Sequence, residues 1–241
     1  MPWINAASKL LVAASLAVLA GAQATPANTT SPGSPSPQPP EKPLLIMLDP
    51  AHGGTDPGAR LTASTPEKEI TLNIARRLKQ ELNARGILCQ LVRDGDVTLP
   101  PDQRAAMSNA ADPALYISLH ASSLGSGMGI FTALLPDSGD NKGPFLDWDR
   151  AQSATLPRSK ALQTQLVGAM QRTKFPTHAF SASLRPLNSL RSPAIAIEIS
   201  PTTGDATQVS ATGYQQMICA ALANALASIA PSLRGNMGAR R

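Results

Sequence analysis

The sequence predicts an α/β fold: a single domain with one mostly parallel sheet flanked by helices. Three observations predict it. The apolar runs "LLIML" (44–48) and "AIAIEI" (194–199) show little polar alternation, as strands buried on both faces require, and "ILCQLV" (87–92) reads as a further strand. Between such runs lie stretches in which apolar residues recur every four positions, the stripe of an amphipathic helix. Strands and helices therefore alternate along the chain, which is the pattern of a parallel sheet with helical crossovers.

The elements follow in order. Lys9 opens the run "LLVAASLAVLAG", which ends at Ala22-Gln23-Ala24. A basic start, a short apolar stretch and a small-x-small site read as a secretory signal peptide over 1–24. The run is short for a membrane span, so no stable membrane insertion is expected once the signal is cleaved. No cysteine follows it, which argues against a lipid anchor. Residues 25–43, "TPANTTSPGSPSPQPPEKP", are nearly all Pro, Ser, Thr and small residues, an extended linker that cannot bury apolar surface. The folded domain is expected over 44–233, and 234–241 read as a disordered tail.

Residues 44–48 form the first strand. A helix begins at Glu67, with Ile70, Ile74, Leu78 and Leu82 on one stripe, and Gly86 stands where a C-terminal cap glycine belongs. Residues 87–92 give the second strand, 101–111 a short helix, "ALYISL" (114–119) the third strand and "GIFTALL" (129–135) the fourth. Residues 136–158 are polar and irregular. A helix then carries Leu162, Leu166 and Met170, residues 194–199 form another buried strand, and the last helix carries Ile218, Leu222, Leu226 and Ile229.

Net charge is +5, and Lys9 is the only charge within 1–24, so residues 25–241 carry +4. The basic residues are dispersed and aromatics make up 3% of the chain, which is not the footprint of a nucleic-acid binder. Mild positive charge suits an anionic polymer such as a cell wall. The two cysteines, Cys89 and Cys219, fall in a strand and a helix respectively; spacing leaves open whether they pair or are two buried thiols.

In a parallel sheet, ligands bind beyond the carboxyl ends of the strands. His52 follows the first strand, in "IMLDPAHGGTDPG" (46–58), and His120 ends the third, in "LYISLH". Glu198 lies near the end of "IAIEIS", and Glu67 opens the helix that leaves the same edge. Two histidines and one carboxylate, with a fourth position left to water, are a catalytic zinc set. Zinc so held polarises a carbonyl and acidifies water, and a second carboxylate free of metal can move the proton. Glu198 suits that second role.

Each residue alone has a plainer reading. Strand-end histidines are often hydrogen-bonded loop residues. Glu67 could face the helix dipole, and Glu198 could be half of an ion pair with Arg185 or Arg191. Asp49 either orients a ligand histidine or stabilises its turn. Asp56 and Gly58 are expected to shape the loop. His178, in the polar stretch "KFPTHAF", is expected at the surface.

The segments "LDPAHGGTDPGA", "PEKEITLNIARRL", "ISLHAS" and "PAIAIEIS" resemble, in order and at about the right spacing, the zinc-dependent N-acetylmuramoyl-L-alanine amidases of the amidase-3 type. The resemblance covers nearly all of 44–230. It implies that His52, Glu67 and His120 bind one Zn2+, with Glu67 favoured over Glu69. It further implies that Glu198 is the catalytic glutamate and that Arg185, in "SLRPLNSL", is the arginine upstream of the catalytic strand. The implied substrate is peptidoglycan, cut between N-acetylmuramic acid and L-alanine in a periplasmic or secreted setting, with an activator protein as a further partner.

Three positions depart from the pattern. Ala51 stands where glycine is usual, Ser122 where asparagine is common, and "SPTTGD" replaces a Gly-Phe-x-x-Asn run after Glu198. They leave the metal set intact and fall on the substrate-facing surface. The same zinc set would equally serve a peptidase of wall stem peptides. A catalytically silent wall-binding or regulatory module is the reading from another class.

Overall fold

The computed structural model describes residues 43–135 and 147–234. The expected signal peptide lies outside them, as do the linker up to Lys42, the tail beyond Arg234 and residues 136–146 of the polar stretch.

The elements run β1 (Leu45–Pro50), α1 (Glu67–Ala84), β2 (Leu88–Leu91), α2 (Pro101–Ala111), β3 (Leu115–Ala121), β4 (Met128–Ala133), α3 (Leu156–Gln171), β5 (Thr177–Ala182), β6 (Ala194–Ile199), α4 (Thr212–Ser228) and α5 (Ala230–Arg234). Short 3₁₀ turns cover Trp148–Ala154, Leu187–Ser189 and Ala206–Ser210. The six strands form one sheet in the order β2-β1-β3-β6-β4-β5.

Strands β2, β1, β3 and β6 are parallel to one another. β4 runs antiparallel to β6, and β5 runs parallel to β4. Chain length explains the reversal. A parallel crossover needs about a dozen residues or more, and only 122–127 separate β3 from β4. The chain must turn back, and β6 later fills the place between them.

Strand periodicity divides the sheet into two faces. Ile46, Leu48, Ile117, Leu119, Ile130, Ile195 and Ile197 pack on one face against Ile74, Leu78 and Leu82 of α1, Leu162, Leu166 and Met170 of α3, and Ile218, Leu222 and Leu226 of α4. These are the helical stripes expected from the sequence. Full burial of each such leucine is worth about 1.5–3 kcal/mol. Gly86, with φ of +72°, follows α1 in the left-handed conformation that a helix stop favours.

The other face carries a smaller cluster of Met47, Tyr116, Ala133, Ala194 and Ala196, covered by Ala105 of α2 and by Leu187 and Leu190. Further along the same face of β1, β3 and β6 stand Asp49, then Ser118 and His120, and Glu198. Polar groups thus occupy this face toward the strands' carboxyl ends.

β5 is the strand the sequence reading missed. It lies at the sheet edge, and four of its six residues are exposed, so it carries no apolar run. His178 sits on it and is exposed, as expected. Cys89 and Cys219 are both free and buried. No helix among the described residues is long and apolar enough to cross a membrane.

Candidate metal centre

The loop after β1 is fixed by arginines. Arg104 of α2 donates from Nη2 to the His52 carbonyl at 2.6 Å and from Nη1 to the Pro50 carbonyl at 2.9 Å. It also pairs with the buried Asp49 carboxylate, which accepts a bond from the Tyr116 hydroxyl as well. Arg93 donates to the Pro50 and Ala51 carbonyls, both at 2.9 Å. These donors hold His52 at a φ of +64°, a left-handed conformation that costs a non-glycine residue about 1–2 kcal/mol. Ala51 is not left-handed, so a side chain is tolerated where glycine is usual.

Glu67, the first residue of α1, is buried between the two histidines; Glu69 points outward. One carboxylate oxygen of Glu67 lies 3.1 Å from His52 Nε2 and the other 3.0 Å from His120 Nδ1. The amides of Ala59 and Ala121 donate to the same two oxygens. Burial alone would raise this carboxyl, but the bonds from His120, His52 and Ala59 hold it far below the ordinary carboxylate range. His52 is shifted upward by its bond to Glu67, against the effect of burial, with help from Asp56.

On its other side, His52 Nδ1 lies 2.8 Å from Asp56 Oδ2, while Asp56 Oδ1 accepts from the Gly58 amide at 3.0 Å. Protonated His52 donates from Nδ1 to Asp56 and from Nε2 to Glu67; loss of the Nε2 proton frees that lone pair for a cation while Nδ1–H stays with Asp56. Asp56 therefore orients the imidazole as well as shaping the loop. Asp49, weighed for that orienting task, instead neutralises Arg104. Gly58 is forced by space: a Cβ there would lie 2.5 Å from His52 Cδ2 and 2.8 Å from Glu67 Oε2, at a φ of +68°.

Donor atoms of His52, Glu67 and His120 all lie within 4.8 Å of one another, and no other group of three or more His, Cys, Asp or Glu residues among the described residues meets that test. Two imidazole nitrogens converge on one buried carboxylate, a set suited to a single divalent cation that takes mixed nitrogen and oxygen ligands, as zinc does.

Glu198 is the register partner of His120 on the neighbouring strand, so both side chains leave the same face. It is half-buried, and its carboxylate has no hydrogen bond or ion pair among the described residues. Burial raises its carboxyl, offset in part by His120 and reinforced by Glu67. Neither arginine considered as its partner reaches it. Arg191 bonds Asn109, and Arg185 Nη1 lies 3.6 Å from Asp102 Oδ1. Arg185 is largely exposed and borders a cleft of about 120 Å³ together with His52, Ser118, His120 and Arg104.

The described part of the polar stretch does not cover this cleft. Gln152 donates to the carbonyls of Leu190 and Ser192, just before β6 begins and at the opposite end of that strand from Glu198. Arg93, Arg104 and Tyr116 went unnoticed in the sequence. The only available signal was Arg93, a charge set directly after an apolar strand.

Fold and site together define an α/β domain that gathers a possible metal-binding group, His52, Glu67 and His120, beside a carboxylate with no bonded partner among the described residues. The family profile for N-acetylmuramoyl-L-alanine amidases of the Amidase_3 type matches residues 46–228, and the chain belongs to that family. The N-acetylmuramoyl-L-alanine amidase AmiC of Neisseria meningitidis serogroup B is 35% identical over 107 residues, 43% of this chain. The chain spans only 26% of that relative's length. The amidase Rv3717 of Mycobacterium tuberculosis is 26% identical over 216 residues, which cover 77% of this chain and 85% of the relative. Among solved structures, the amidase AmiC2 of Nostoc punctiforme superimposes with a TM-score of 0.61 at 19% identity, covering 79% of this chain and 99% of that one.

Proposed function

We propose that this chain is an extracytoplasmic zinc amidase that cuts peptidoglycan between the lactyl group of N-acetylmuramic acid and L-alanine of the stem peptide. Residues 1–24 act as its export signal and 25–43 as a tether. His52, Glu67 and His120 hold the ion. When bound, zinc supplies Lewis acidity, which polarises the scissile carbonyl and acidifies water.

The chain's own residues do the rest. Glu198 accepts the proton of the attacking water on a carboxylate oxygen. It then returns that proton to the leaving nitrogen, so the products are the lactyl carboxylate and a free L-alanine amine. Asp56 keeps the His52 ring in one tautomer. Arg185, across the cleft, offsets negative charge as the tetrahedral centre forms. An activator protein is a candidate partner.

The observation that carries this reading is Glu198, half-buried beside His120 with no hydrogen bond or ion pair among the described residues. A carboxylate in that position has either an uncompensated burial cost or a use. The test is digestion of isolated sacculi by the zinc-loaded protein, with mass spectrometry of soluble products and Glu198→Gln in parallel. Free stem peptides starting at L-alanine, absent with the variant, are expected. Cuts within the peptide, or products that persist with Glu198→Gln, overturn the assignment.

A further inference from the structure

The sheet face that carries Glu198 continues past it. His120, Glu198, Gly129 and His178 are successive register partners across β3, β6, β4 and β5, so they form one row on one face. Ser118, Ala196, Phe131 and Phe180 form the next row. The Phe131 and Phe180 rings are stacked, with centroids 5.0 Å apart, and the His178 ring lies 6.4 Å from Phe180.

These rings lean over Gly129. A Cβ on Gly129 would come within 2.8 Å of Phe131 Cε2 and 3.4 Å of Phe180 Cε2. Gly129 has an ordinary φ, so what the glycine provides here is room rather than backbone freedom. The aromatic surface therefore begins one strand from Glu198, about 5 Å away across the sheet, and ends at the edge strand. Phe180 remains 48% exposed despite the stack. A chain with so few aromatics has set an open ring face in line with its candidate base.

The two sides of the site differ in chemistry. Toward α2 stands Arg185, exposed and cationic, beside the polar cleft. Toward β5 stand uncharged ring faces. A muramyl peptide differs in the same sense: its stem peptide carries carboxylates, while a pyranose ring presents a neutral C–H face that packs on aromatic rings.

We propose that Phe180, backed by Phe131 and flanked by His178, is the subsite for the pyranose ring of the N-acetylmuramic acid whose amide is cut, with the stem peptide leaving toward Arg185. This rests on the amidase reading above and fixes the direction in which the substrate lies across the sheet.

The test is binding, so that it stands apart from turnover. Saturation-transfer NMR on the zinc-loaded protein would use two probes: the peptide-free disaccharide of N-acetylglucosamine and N-acetylmuramic acid, and the free tripeptide L-alanyl-γ-D-glutamyl-diaminopimelate. The disaccharide is expected to bind. Phe180→Ala should weaken it about three- to tenfold, the size of one ring contact, and Phe180→Trp should retain it. Tripeptide binding should ignore Phe180→Ala and fall with Arg185→Ala. Thermal melts of the edge-strand variants check that they fold, and Phe180→Trp keeps the test valid if the alanine variant does not. Absent disaccharide binding, binding indifferent to Phe180, or a Phe180 effect confined to the tripeptide would each overturn the subsite. Sacculi left undigested by a protein that binds the disaccharide through Phe180 would instead count against the amidase reading alone.

Discussion

His120 and Glu198 are register partners on adjacent parallel strands, so a candidate metal ligand and the candidate base leave the sheet side by side. The pairing brings a price in stability, because burial raises the Glu198 carboxyl. A carboxyl raised by folding destabilises the fold when ionised. The penalty is absent below the ordinary carboxylate pKa, grows as pH rises toward the folded value, and persists above it. Glu198→Gln should therefore melt higher than the parent near neutral pH, by about 1–2 °C with metal chelated. The gain should vanish on acidification below the ordinary carboxylate range. A variant that melts lower at neutral pH sinks the idea that Glu198 is held at a cost.

Asp56 meets His52 Nδ1 through one carboxylate oxygen and the Gly58 amide through the other, and its side chain is 60% exposed. Asp56→Asn should leave the core intact and lower zinc affinity about 10- to 100-fold, as loss of a ligand's orienting carboxylate does. Competition with a chromogenic chelator measures this. Unchanged affinity would return Asp56 to the role of a turn residue.

Gly58 and Gly86 both have left-handed φ, but a Cβ at Gly58 would meet His52 and Glu67, whereas nothing lies within 4 Å of a Cβ at Gly86. Gly86→Ala should cost about 1 kcal/mol from backbone strain alone. Gly58→Ala should cost more and also reduce zinc binding, because the methyl collides with His52 and Glu67. Urea melts and zinc titration of the two variants separate strain from collision; equal behaviour would refute the steric account.

Arg104 donates to the carbonyls of Leu99, Pro50 and His52 and pairs with buried Asp49. Arg104→Met strands that carboxylate and should cost about 3–5 kcal/mol. Adding Asp49→Asn should recover part of the loss by removing the orphaned charge. If the double variant is no more stable than the single one, Arg104 acts through its carbonyl contacts and not through the ion pair.

β1, β3 and β6 were legible because they are buried on both faces and leave unbroken apolar runs; β2, a parallel edge strand with alternate residues exposed, still showed enough apolar residues to be read as a strand. The helices on the larger core face were legible from their four-residue stripes. The candidate site was visible because His52, His120 and Glu198 lie at or near strand ends and Glu67 at a helix start, so topology alone brings them to one edge. β5 was not legible, since an exposed edge strand has no apolar pattern to show. The inner arginines were missed for a different reason. Arg93 and Arg104 bond mainly to backbone carbonyls, and a carbonyl's position carries no residue-type signal. For Asp49 and Asp56 the sequence supplied two carboxylates near His52, and only the fold shows which one its ring meets.

Both thiols are buried and pushed up to about 12 by burial, Cys89 in β2 and Cys219 in α4, and neither is bridged. The core thus holds together without a covalent staple. The chain should reach the same fold in a reducing cytosol as in an oxidising compartment, so recombinant production needs neither export nor oxidative refolding. Alkylating reagents should label it only after denaturation, which makes a thiol count at neutral pH a direct gauge of how much of a preparation is folded.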